Sequence, residues 1–592
     1  MMRALVFFAW LLATLQPFVT ANDCVVISDA DAVKNLPLLT TTEFTADIEM
    51  SSTETARVIQ IMMYYSQTKN QIRLNMLDNG QLSDLFFYYE DQEVLGIDYS
   101  IGRGNCTAKK LSDAPETFMV GGVKDDAKIP SALGVLRMTG KSGFNDDNIK
   151  VKHVGQAVFR DMNVEQYESC QRWAINGQEL VFKVTHYFSN ATTWKLPSDQ
   201  VIPIAMTLDG TGTVRGQSVQ VKHTYSFFNF QFSVVPVQLE TPPGVFCRRE
   251  KVYPFPPTPN YIQFSAEVID HANGAYTFLE EIFSTDDKFA VMRLQKSSDL
   301  GSDKGINKRE ILQDFTSGLS FIVDKKVGTC KVMNITQSNK ATPLPFYTVQ
   351  DDGKIKQLSP AKFFYAFGTE YHYLGERNVR GIMSDTFVTR TTLLNSQTPS
   401  NLATIEWYFA KHATTWNDNS KSYKDQKLQI PVKFRMWESD TTTYSTDMNI
   451  YDVDFTRLKL GVFDVRPCFP DSAKNHFQTV LEGATRDIVN RYRENFLSKA
   501  MFTIADQAQV LWWRVVGLRL DITQSQVLFE FDIMNQPPYA GDVEQSLYTP
   551  VSLEDATKNL IDSVRRGLSL MAYNPDTKLF DKHLRMSNFK VM

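Results

Sequence analysis

Phe44-Thr45-Ala46-Asp47-Ile48 returns about 220 residues later as Phe264-Ser265-Ala266-Glu267-Val268. Both stretches alternate apolar and polar positions, the pattern of a half-buried strand. Outward from this pair, further matches keep the same order. Gly104-Asn105-Cys106 answers to Gly328-Thr329-Cys330. Val154-Gly155 followed by Arg160-Asp161 answers to Leu374-Gly375 followed by Arg380-Gly381. Tyr187-Phe188 with Trp194 answers to Tyr408-Phe409 with Trp416, and Ile202-Pro203 to Ile430-Pro431. Thr224-Tyr225-Ser226 answers to Thr443-Tyr444-Ser445, and Cys247 to Cys468. The offset drifts only by loop-sized steps, so the chain contains a whole-domain duplication rather than a short solenoid repeat.

Both copies read as strands. Phe228, Phe230 and Phe232 alternate with Asn229, Gln231 and Ser233; Ile405, Trp407 and Phe409 alternate with Glu406 and Tyr408. Many such runs separated by turn residues predict a mainly β fold with two curved antiparallel half-barrels and a few helices, one opening at Pro360. Residues 23–249 form the first domain and 260–470 the second. Between them 250–259 reads as a linker, with four prolines among residues 254–259 making it stiff and extended.

After Cys468 the period changes. Phe477, Leu481, Ala484, Ile488, Tyr492 and Phe496 recur at helical spacing, which predicts a long amphipathic helix. Strands are expected over 511–522 and 527–534. A helix follows, capped by Ser552, with Ala556, Leu560, Val564 and Leu568 as its apolar stripe and Gly567 near its end. Residues 471–592 are thus expected to be a small α+β domain, ferredoxin-like or SEA-like.

The N-terminus, with Arg3 before an apolar run over 4–15 and small residues at 19–21, predicts a signal peptide over 1–21 cleaved after Ala21. Asn105, Asn190 and Asn334 begin glycan acceptor sequons. Six cysteines, none in CxxC spacing, read as disulfides of an oxidising compartment. The duplication pairs Cys330 with Cys468 and Cys106 with Cys247, leaving Cys24 with Cys170. The alternative joins Cys106 to Cys170 and Cys24 to Cys247. These features together predict a secreted glycoprotein. A net charge of −5 over 592 residues gives no global attraction to nucleic acid.

No linear motif commits the chain to a reaction: G-x-S-x-G, H-E-x-x-H and G-x-G-x-x-G do not occur. Gly140-Lys141-Ser142 ends a stretch with the wrong spacing for a phosphate loop. Asp299 to Glu310 matches a calcium loop only in part, with Lys304 where glycine is needed. Eight histidines are dispersed, of which His186 and His223 lie in strand-like segments. No enzyme, metal or cofactor is expected.

The second copy resembles a known family at three places: Asp314-Phe315 through Gly328-Thr329-Cys330; Tyr373-Leu374-Gly375 with Val379-Arg380-Gly381-Ile382; and Glu406-Trp407-Tyr408-Phe409 with Trp416 and Pro431-Val432. Together these are similar to metazoan extracellular proteins with tandem LolA-like domains. The family often has a cysteine and tryptophan after Arg-Gly-Ile; the first copy has Cys170 and Trp173, the second has neither. The resemblance implies a strongly curved sheet with helices across its concave face, a face that receives acyl chains in the bacterial namesake. The expected function is therefore non-catalytic binding or carriage of a lipid-like apolar ligand. Phe228, Phe230, Phe232, Ile405, Trp407 and Phe409 are the candidate cavity walls. A structural or adhesive surface protein is the other expectation.

Overall fold

The computed structural model describes the chain from residue 27 onward; outside the described residues lie 1–26, 33–41, 112–149, 297–306, 338–343, 393–401, 412–427, 439–445, 456–462, 538–540, 544–548 and shorter stretches. The expected signal peptide, Cys24, the Gly140-Lys141-Ser142 loop, Asp299, Trp416 and Thr443-Tyr444-Ser445 fall outside them.

Eleven strands build the first sheet: β1 (Glu43–Ser52), β2 (Arg57–Ser66), β3 (Gln71–Asp78), β4 (Gln81–Tyr88), β5 (Glu93–Asp98), β6 (Asn105–Lys110), β7 (Val151–Phe159), β8 (Met162–Ile175), β9 (Gln178–Ser189), β10 (Pro203–Val214) and β11 (Gln217–Gln231). They are ordered β6-β5-β4-β3-β2-β1-β11-β10-β9-β8-β7. The second sheet contains β12 (Tyr261–Asp270), β13 (Ala275–Ser284), β14 (Phe289–Lys296), β15 (Asn307–Asp314), β16 (Leu319–Asp324), β17 (Cys330–Asn334), β20 (His372–Val379), β21 (Ile382–Thr392), β22 (Leu402–Ala410), β23 (Pro431–Glu438) and β24 (Thr446–Asp454). Its order, β17-β16-β15-β14-β13-β12-β24-β23-β22-β21-β20, repeats that of the first. A hairpin, β18 (Tyr347–Val349) and β19 (Ile355–Gln357), and a short helix α1 (Pro360–Phe363) lie between β17 and β20.

The repeated sequence elements have equivalent structural jobs. Gly155 and Gly375 sit at register shifts in β7 and β20, with φ of 116° and 99°. Arg160-Asp161 and Arg380-Gly381 are the two-residue turns that follow, with φ of 48°, 65°, 55° and 83°. Positive φ at both central residues is what a type I′ hairpin requires, because its twist matches that of the strands. Pro203 and Pro431 each begin a strand, where a missing N–H costs least. Cys106 and Cys330 lie on the corresponding edge strands β6 and β17, bonded to Cys247 and Cys468 over separations of 141 and 138 residues. Loops of that length give about 5 kcal/mol each in the chain-entropy model. Cys170 is disulfide-bonded as well.

The stretch expected to be a stiff, extended linker packs its aromatics against the second sheet. Phe255 lies with its ring centroid 4.3 Å from Tyr371 and 5.3 Å from Phe409, and Tyr253 stands 4.4 Å from Tyr373. The same passage carries polar anchors. Arg249 donates Nε to Glu93 and Nη2 to Asp91, each at 2.7 Å, and Nη1 to the Tyr373 carbonyl at 3.3 Å. Arg377 donates to the carbonyl and hydroxyl of Thr241, and the Gly244 amide donates to Glu406 at 2.8 Å. A Cβ at Gly244 would stand 2.8 Å from the Trp437 ring, so only glycine fits there.

His372 is buried at this seam, its Nδ1–H donating to the Arg249 carbonyl at 3.2 Å. Burial lowers its pKa below the usual 6.5. A proton therefore binds the unfolded imidazole more readily than the folded one. Its stabilising contribution is complete above about pH 6.5 and is lost as pH falls toward the depressed folded value. A denaturant midpoint that falls between pH 7 and pH 5 in the native chain, and falls less in His372→Gln, is the expected result.

The C-terminal region contains β25 (Lys474–Glu482), α2 (Arg486–Asn490), α3 (Arg493–Ala508), β26 (Val515–Ile522), β27 (Val527–Met534), α4 (Leu553–Arg565), β28 (Ser569–Asn574) and β29 (Leu579–Val591). The sheet order is β26-β27-β25-β29-β28. The long helix expected from Phe477 is thus corrected. Phe477, Thr479 and Leu481 also satisfy period 2, and they turn inward from a central strand that ends at Gly483, φ 77°. The 3.6 period holds only beyond it, where Ile488, Phe496, Ala500 and Ile504 are buried on α2 and α3. Ser552 caps α4 as expected, accepting from the Asp555 amide at 3.0 Å. Trp513 ties this region to the second sheet, donating Nε1 to buried Asp314 at 3.2 Å and packing 4.7 Å from Phe321. No helix among the described residues is long and apolar enough to cross a membrane.

Candidate apolar-ligand site

Ile405, Trp407 and Phe409 share one face of β22, as alternation predicts, and all three are buried. They do not border open space. Trp407 stacks among Phe364 at 5.1 Å, Phe434 at 4.8 Å and Phe409 at 5.8 Å, and its Nε1 donates to the Phe364 carbonyl at 3.1 Å. The cover comes from the segment between β17 and β20. Leu344, Phe346, Ile355, Phe363, Phe364 and Tyr365 join the same core cluster. Pro360 starts α1 and Ser359 caps it, which fixes where those aromatics descend. The inner face around Trp407 is a packed core, with Leu294, Tyr373 and Val453 only partly buried against it.

On the first sheet the expectation that Phe228, Phe230 and Phe232 share one face is corrected. Asn229 has φ 48°, and β1 pairs Asp47 with Phe228 but Thr45 with Gln231. This is a β-bulge: one extra residue shifts the alternation. Phe227 is paired with Ile48 and faces inward. Phe230 also faces inward, stacked 4.8 Å from buried Phe44, with Phe232 edge-on to it at 5.2 Å. Phe228 points to the opposite face and is 41% exposed. Asparagine tolerates left-handed backbone better than most residues, so the Phe-Phe-Asn-Phe order was the available signal for the bulge.

The inner face of the first sheet differs from that of the second. Phe44, Ile48, Met63, Leu74 and Phe87 are buried there. Ile61, Met76, Tyr225, Phe227 and Phe230 are only partly buried against them. Where the second sheet has Trp407, the first has His186, buried and 6.0 Å from Phe188. His186 and His223 share a face but flank β10, with Met206 and Leu208 between them, so they form no dyad.

The sequons are placed unequally. Asn105 is exposed on the edge strand. Asn334 is half-buried. Asn190 is 2% exposed, with Oδ1 accepting from the Thr192 amide at 2.9 Å and Nδ2 donating to Glu165. Glu310, the last position of the partial calcium loop, is buried on β15 and ion-paired with Arg293 at 3.0 Å. No metal-binding cluster occurs among the described residues.

Residues 242–469 match the family model of the metazoan second LolA-like domain. This segment is a LolA-like domain. The match begins inside the packed passage before β12, consistent with Gly244 and Phe255 being seated on the second sheet. No curated protein matches the sequence. Solved structures with similarity include an uncharacterized conserved protein from Thermus thermophilus, at 8% identity over 34% of this chain and 80% of that one, TM-score 0.19. Another is described as an outer membrane lipoprotein-sorting protein domain from Vibrio parahaemolyticus, at 9% identity over 33% and 88%, TM-score 0.18. A third is the Pseudomonas aeruginosa MucA/MucB complex, at 11% identity over 46% and 82%, TM-score 0.18. TM-scores this low carry no argument, and the LolA-like assignment rests on the family match and the sheet.

Proposed function

We propose that this chain is a secreted, non-catalytic glycoprotein that holds a lipid-like apolar ligand against the inner face of its first sheet. The observation that carries this reading is the contrast between the sheets. The inner face around Trp407 is closed by its own aromatics, while Tyr225, Phe227 and Phe230 remain partly exposed beside Ile61 and Met76. An acyl chain laid on that surface gains about 0.8 kcal/mol per buried methylene. Several methylenes suffice for micromolar affinity after association costs. Disulfides joining segments about 140 residues apart suit an oxidising compartment, and the sequon residue Asn105 is exposed on its edge strand. The sealed second sheet favours a second reading, a structural or adhesive role for that domain.

Organic extraction and mass spectrometry of protein purified from the medium of secreting cells tests the first reading. A copurifying lipid is expected, and its occupancy is expected to fall several-fold in Phe227→Asp or Phe230→Asp protein that retains the native melting profile. Unchanged occupancy in both variants, or no copurifying lipid, sinks the ligand reading and leaves the structural one.

A further inference from the structure

The outer face of the first sheet, opposite the proposed lipid surface, carries its own pocket. It is an open groove of about 410 Å³ crossing β11, β1, β2, β3 and β4. That volume lies in the range of small-molecule sites. Its walls include Met62, Leu77, Leu82 and Phe228, each 41% exposed. Four large apolar side chains exposed together on neighbouring strands form a contiguous patch, unlike scattered surface leucines. Asp47 and Glu49 also line the groove, and cross-strand pairing puts them on this same face. Asp47 is opposite both Met62 and Phe228, and Glu49 is opposite Gln60.

The bulge at Asn229 builds this groove. It turns Phe228 outward, and Asn229 donates Nδ2 to Asp47, the cross-strand partner of Phe228, at 2.7 Å. Bulges commonly re-aim a side chain in this way. Asp47 thus receives a neutral donor, and Glu49 faces Arg160 at 3.5 Å with both side chains well solvated. The second sheet repeats the pairing: Glu267, which answers to Asp47, accepts from Asn449 Nδ2 at 3.0 Å.

We propose that this groove binds a protonated alkyl amine, the ammonium placed between Asp47 and the face of Phe228 and the tail laid along Met62, Leu77 and Leu82. The chemistry matches part by part. A carboxylate and an aromatic face both attract an ammonium, and the apolar walls desolvate a short alkyl chain. A fatty acid meets like charge at Asp47 and Glu49, so the groove discriminates against the ligand class proposed for the inner face. The two sites lie on opposite faces of one sheet, and neither inference depends on the other.

The test is titration calorimetry of the full chain at pH 7 and low salt with n-octylamine, n-octanol and octanoate, all below self-association. Octylamine is expected to bind and to weaken about three- to tenfold in Asp47→Asn and again in Phe228→Ser, with added salt acting in the same direction. Asp47→Asn keeps an acceptor for Asn229, and a native melting profile confirms that its fold is retained. Octanol or octanoate binding as tightly as octylamine overturns the proposal. So does octylamine affinity that ignores both substitutions.

Discussion

Arg249→Ala, at the seam between the two sheets, is expected to destabilise the chain by about 3–5 kcal/mol. The guanidinium side chain is 3% exposed, as is that of Glu93, to which it donates. It also spans to Asp91 and lies 4.6 Å over the Tyr88 ring. Its own pKa is raised despite burial, because Glu93, Tyr88 and Asp91 hold the charge in place. Truncation leaves Glu93 buried without its guanidinium, and that desolvated carboxylate accounts for most of the cost. The neighbouring Arg248→Ala is the control. Arg248 is 77% exposed and meets Glu370 at 3.5 Å in solvent, so its removal is expected to change stability by less than about 0.5 kcal/mol. Denaturant midpoints of the two variants, measured at equal m-value, read the difference. Similar midpoints would mean that Arg249 is not the anchor of the seam. The same substitution is expected to expose the passage around Tyr253 to protease, since Arg249 holds the chain two residues beyond Cys247.

Trp407→Ala is expected to cost about 3–5 kcal/mol as well, by a different mechanism. The side chain is fully buried among Phe364, Phe409 and Phe434, and the Phe364 carbonyl loses its indole donor. The cavity cannot collapse easily, because the surrounding rings belong to two strands and the end of a capped helix. Trp407→Phe is expected to recover most of the packing but not the hydrogen bond. Phe228→Ala, on an exposed ring, is expected to cost well under about 1 kcal/mol. Equal losses in Trp407→Ala and Phe228→Ala would contradict the packed core. This ordering governs how ligand experiments are designed. Loss of lipid in a Trp407 variant reports unfolding, whereas loss in a Phe230 variant with native stability reports the surface.

Period-2 alternation is a local property of the chain, and so it was readable without coordinates. So was the duplication, because the bulge glycines Gly155 and Gly375 and the turns at Arg160-Asp161 and Arg380-Gly381 are fixed by backbone φ. The disulfides Cys106–Cys247 and Cys330–Cys468 followed from the duplication, since equivalent edge strands must sit beside equivalent exits. Where two periods fitted one stretch, the sequence was ambiguous. Phe477 to Leu481 satisfied strand and helix alike, and only its place between β27 and β29 decided for a strand.

What alternation could not supply was a face. One extra residue at Asn229 sends Phe228 outward and Phe230 inward, and it separates two side chains that a strict period of two would place together. Nor could composition say whether an aromatic wall borders a cavity or a core. Trp407 and Phe409 have the residue types of either; they are core because Phe255 arrives from a passage that reads as a linker and Phe363 and Phe364 arrive from a four-residue helix. By itself, then, the sequence determined two copies of one mainly β domain and the pairing of their equivalent cysteines. Which surface is sealed and which is left open depended on side chains brought from distant segments, since burial is a property of the assembled neighbours and not of the strand that carries the residue.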